Sequence, residues 1–130
     1  MPEDYFNQND LAYDLRQRYA KIVGDHLEIV AHCRQDKNYH EYFIALEDLY
    51  TITQHKFKED KKKDSVSYSV LRARVIEVSN KYPNTWSGEF TTSNEIAEIE
   101  EALRAMERFL YTKIDEANMF GGKRSIEHLS

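Results

Sequence analysis

Apolar residues recur at Ile96, Ile99, Leu103, Met106, Leu110 and Ala117 in alternating steps of three and four, with Lys113 as the one break. This spacing is the seam of a helix that packs lengthwise against other helices. One loop earlier, Tyr68, Leu71, Val75, Val78 and Tyr82 repeat the pattern. Two further stripes precede these. On a helical wheel Leu11, Leu15, Tyr19, Ile22, His26, Ile29, Val30 and Cys33 share one face of a first helix. Tyr39, Tyr42, Phe43, Leu46, Leu49, Tyr50, Thr53 and Phe57 share one face of a second. Four helices joined as two hairpins predict an all-α antiparallel bundle.

The helix ends follow from local chemistry. The first helix starts near Asp10, capped by Asn9 or Asp10, and runs to about Gln35, where residues 36–38 make a tight turn. Asn38 and Glu41 have the spacing of a capping box for the second helix. Ser65 or Ser67 caps the third, and Pro83 ends it by disfavouring helix at Tyr82. Thr92 and Glu95 form a capping box for the fourth, which Asn118, Gly121 and Gly122 stop. The expected organisation is one domain over residues 1–122 and a flexible tail over 123–130. On these boundaries helix four overhangs helix three by roughly eight residues, or about 12 Å. The overhang would expose Phe109, Leu110 and Ile114 to a protein partner, and a second copy of the chain is the expected one.

Composition narrows the classes of function. The 130 residues include four Gly and two Pro, too few for a turn-rich β fold. A net charge of −5 opposes generic binding to nucleic acid or to an anionic membrane. No apolar run approaches the roughly 20 residues that span a bilayer, so no membrane partner is expected. The start, MPEDYFNQND, lacks the basic and apolar regions of a signal peptide, and Cys33 stands alone. These features make the cytoplasm the expected compartment and Cys33 an inert core thiol.

Several residues could carry chemistry. His26, in the middle of the first stripe, reads as a buried core histidine. Glu28, His32 and Asp36 recur every four residues and would form a ladder, either a metal site or a row of surface ion pairs. Acidic residues gather at Glu95, Glu98, Glu100 and Glu101, where the helix dipole favours them. Glu95 and Glu98 resemble the Glu-x-x-Glu half-motif of helical nucleotide pyrophosphohydrolases, which would imply magnesium, but no second acidic motif accompanies them. Arg34 and His40, with five residues between them, resemble the Arg-x4-6-His signature of HEPN-type ribonucleases. That resemblance covers seven residues and implies a phosphate-binding cation and a general base at a dimer interface. Gly-rich phosphate loops, zinc spacings and the Gly-x-Ser-x-Gly elbow are absent from the sequence, and no cofactor is expected.

Lys58, Lys61, Lys62 and Lys63, in the crossover over residues 56–64, are the candidate nucleic-acid contacts, with Phe57 and Tyr68 as neighbouring aromatics. Trp86 and Phe90, in the loop before helix four, either plug the end of the bundle or anchor a partner. The expected function is that of a non-catalytic helical adaptor, assembly or accessory protein that self-associates. The alternatives are a nucleic-acid accessory protein using the lysines, and a HEPN-like or metal-dependent hydrolase.

Overall fold

A computed structural model of the chain describes residues 8–58, 60–89 and 92–117, with side chains from residue 11 onward. Phe90 and the tail over residues 123–130 lie outside the described residues. The chain is all-α. Its helices are α1 (Gln8–Gln35), α2 (Tyr39–Thr53), α3 (Lys61–Lys81), a short α4 (Pro83–Ser87) and α5 (Ser93–Glu116), with a 3-10 turn at Gln54–Lys56. α1 packs along α2 and α3 along α5, and the two hairpins join where α2 meets α5. At this junction Leu46 and Leu49 of α2 belong to the same fully buried core as Ile99, Leu103, Met106, Leu110 and Ile114 of α5. Each such side chain contributes roughly 1.5–3 kcal/mol of transfer free energy.

The turns are built from specific backbone bonds. α1 ends in a left-handed residue, Lys37 at φ 58°, with Asn38 N donating to Cys33 O at 3.0 Å and Lys37 N to Arg34 O at 3.2 Å. This is the Schellman arrangement, made here without glycine. It turns Asn38 to φ −90° and ψ 84°, where its side chain makes no cap hydrogen bond, so the expected Asn38–Glu41 capping box does not form. The second expected box begins as predicted, with Thr92 Oγ1 accepting from Glu95 N at 3.4 Å.

α3 begins earlier than the serines suggest. Asp60 is the cap, and its carboxylate accepts from Lys62 N at 2.9 Å and Lys63 N at 3.3 Å. The extra turn at the start of α3 lies against the end of α5, where Asp64 Oδ1 meets Lys113 Nζ at 3.0 Å. The predicted overhang of α5 is therefore covered within the chain. Leu110 and Ile114 are fully buried and Phe109 is half-buried. That corrects their expected role as a partner-binding strip. Lys113 is no break in the seam either, since it is itself buried at its ion pair.

The core face of α1 matches expectation in part: Val30 is buried and Tyr19 and Cys33 pack against the core as their stripe implied, while the rest of the stripe does not. Val23, Leu27 and Val30 are fully buried, whereas Leu11, Leu15, Ile22 and Ile29 are 51%, 55%, 47% and 50% exposed. His26 is half-exposed, and its Nδ1 lies 2.9 Å from the Ile22 carbonyl of its own helix. At 100° per residue the buried and exposed stripes lie about a third of a turn apart. α2 covers the smaller of the two.

Candidate functional site

The strongest chemistry in the described residues is internal. Glu107 of α5, only 2% exposed, sits on the apolar seam between Leu103 and Leu110. Its Oε2 accepts from Arg34 Nη1 of α1, and its Oε1 accepts from the Tyr42 hydroxyl of α2. Arg104 Nε adds a looser contact at 3.7 Å. The Tyr111 hydroxyl is buried beside the same groups without completing a hydrogen bond. Burial, followed by the negative charge of Glu107, pushes the Tyr42 and Tyr111 hydroxyls well above the usual tyrosine range and holds them neutral. Burial alone would weaken the Arg34 charge, and Glu107 together with Tyr111 and Tyr42 more than offsets it. Three helices thus meet at one satisfied carboxylate, with its hydrogen-bonding groups turned inward.

This arrangement separates the HEPN-like pair. Arg34 is committed to Glu107, while the exposed His40 lies edge-on to Trp86, with ring centroids 6.4 Å apart. The cation and the base expected from the motif therefore face different neighbours. Trp86 itself is half-buried on α4 against Tyr39 and Phe43 of α2, at centroid distances of 6.5 and 6.1 Å.

The acidic cluster disperses in the same way. Glu95 accepts from Thr85 Oγ1 at 2.6 Å and from Thr92 Oγ1 at 3.0 Å. Glu98 pairs with Lys81 at 3.5 Å, and Glu100 accepts from Tyr39 at 3.1 Å and Lys37 at 3.3 Å. On α1, His32 and Asp36 pair at 3.2 Å on an open face. Among the described residues no group of three or more His, Cys, Asp or Glu side chains could hold a metal ion. Burial, then Glu41 and Asp36, raise the Cys33 thiol and keep it protonated. Lys58 lies just before α3 and Lys61, Lys62 and Lys63 form its first turn; all four are exposed. No helix among the described residues is long and apolar enough to cross a membrane.

The sequence reading missed two features. One is Glu107, whose place four residues after Leu103 and three before Leu110 marks it as a seam position. The other is the outward stripe of α1. Leu11, Leu15, Ile22 and Ile29 present an apolar band that nothing else in the described chain covers. Val66 and Val70 of α3, 59% and 65% exposed, make a smaller patch. Large exposed apolar side chains aligned on one face are the usual mark of an interaction surface. Comparison of the chain with protein families, curated proteins and solved structures gives no match.

Proposed function

We propose that this chain is a non-catalytic helical adaptor or assembly protein that acts through helix packing, with the outward stripe of α1 as its docking surface. The observation that carries the proposal is the alignment of Leu11, Leu15, Ile22 and Ile29, each about half exposed, on a helix whose other apolar stripe already serves the core. The polar groups support it. Arg34, Glu107, Tyr42, Glu95 and Glu100 bond to one another or to neighbouring helices and do not converge on an open cavity. Self-association and accessory roles both fit such a surface.

Leu15→Glu combined with Ile22→Glu tests this reading. Both positions are open to solvent, so the variant should keep the wild-type far-UV spectrum and melting temperature while losing association with self or with any larger partner. Association that persists unchanged in the folded double variant would overturn the proposal.

A further inference from the structure

We infer that the occupant of the α1 stripe is a second copy of this chain, paired α1 to α1 in antiparallel orientation, an inference that rests on the docking role proposed above. Length is the first reason. α1 has 28 residues and α2 only 15. The end of α2 is marked by Tyr19, whose hydroxyl donates to Ile52 O at 2.6 Å and whose ring meets His55 at 5.9 Å. Before Tyr19 the helix continues as an arm, and none of residues 11–18 is buried. Helices in proteins draw most of their stability from packing of an apolar face, and this arm buries none against the described residues.

The second reason is the spacing. Leu11, Leu15, Arg18, Ile22, Asp25 and Ile29 alternate steps of four and three, which is the narrow seam of a two-helix coiled coil. Two charged residues on that seam decide the orientation. Parallel, in-register pairing would set Arg18 against Arg18 and Asp25 against Asp25. Antiparallel pairing avoids both clashes.

Charge then selects the register. Asp14, Lys21 and Glu28 repeat every seven residues along one flank of the seam. Antiparallel registers that keep the seam matched differ by one heptad, and place Leu11 opposite Leu15, Ile22 or Ile29 of the other copy. The Leu15 register brings Asp14 against Asp14. The Ile29 register brings Asp14 against Glu28 and Lys21 against Lys21. In the Ile22 register alone, Asp14 of each copy meets Lys21 of the other, and symmetry makes that contact twice. Leu15 then faces the stem of Arg18, whose guanidinium stays with Asp14 of its own chain, 3.0 Å away in the structure. Lys21 now pairs with Asp25 at 3.0 Å, an exposed contact that competes only weakly with the new one. The matched seam in this register runs from Leu11 to Ile22, with Asp25 and Ile29 beyond it. So short a seam falls near or below the roughly 1,200 Å² of a stable interface, so the dimer is concentration-dependent.

Sedimentation equilibrium of the full chain tests the pairing. Wild type should shift from 15.4 kDa toward twice that mass as concentration rises through the micromolar range. Asp14→Lys and Lys21→Asp should each weaken the dimer about tenfold, because two attractive contacts become repulsive, and the double charge swap should restore it. A wild-type monomer at high micromolar concentration, or a double swap no better than the single variants, overturns the antiparallel pairing and leaves the docking surface standing. A dimer insensitive to Leu15→Glu overturns both the pairing and the docking role of α1.

Discussion

Arg34 and Glu107 lie 73 residues apart in the chain and form a salt bridge in which the Glu107 side chain is 2% exposed. The bond ties the last turn of α1 to the middle of α5, two helices that share little other contact. Removing one partner leaves the other charge in a dry site. Arg34→Ala should therefore cost about 3 kcal/mol in urea unfolding, while Arg34→Met with Glu107→Leu should recover most of the loss by packing apolar atoms there. An Arg34→Ala variant as stable as wild type would show that Glu107 reaches water.

Tyrosines give the bundle an alkaline limit. Burial, then the charge and hydrogen bond of Glu100, push the Tyr39 hydroxyl from 10.0 up to about 12. Tyr42, Tyr68 and Tyr111 are raised further, first by burial and then by Glu107 or Glu47. A raised folded value means that the folded chain holds its protons longer than the unfolded one. The contribution is complete below pH 10 and is lost as pH rises from 10 toward 12 and beyond. Stability should fall over that window, with the buried tyrosines ionising as the chain unfolds. Tyr39→Phe should make the fall shallower, as read from unfolding curves at stepped pH. A Tyr39 that titrates near pH 10 in the folded chain would contradict the hydrogen bond to Glu100.

What the sequence made legible was the seam of each helix whose apolar residues form a single stripe. Ile99, Leu103, Met106 and Leu110 are buried as their spacing implied, as are Tyr68, Val75 and Val78. α1 was misread because it carries two stripes. One holds Leu11, Leu15, Ile22 and Ile29 and the other Val23, Leu27 and Val30, and periodicity alone does not say which stripe α2 will cover. The start of α3 was misplaced for a related reason. Three lysines in a first turn oppose the helix dipole, which favours a loop, and the Asp60 cap holds the run helical. Sequence alone does not show the buried roles of Glu107 and Lys113, because their partners, Arg34 and Asp64, lie on distant segments. The expected site in the Arg34–His40 spacing dissolved once tertiary contacts drew the two residues to different neighbours.

His26 shows the practical consequence. Read from sequence it was a core residue whose loss would cost on the order of 1–3 kcal/mol. In the fold its ring is half-exposed and, among the described residues, bonds to its own helix through the Ile22 carbonyl. His26→Ala should thus change stability by no more than about 0.5 kcal/mol, as surface substitutions do. A loss of several kcal/mol in thermal unfolding would mean that the wrong face of α1 is against α2.

The most direct test of the account is amide hydrogen exchange along α1, followed as protein concentration is varied. In dilute solution residues 11–18 should exchange far faster than the core of α5 around Leu103–Leu110, because none of the described residues buries the arm. Their protection should rise with concentration in wild type and stay low in Leu15→Glu. Protection of residues 11–18 equal to that of α5 at the lowest concentration, in wild type and variant alike, would contradict the account by placing the stripe inside the chain's own core.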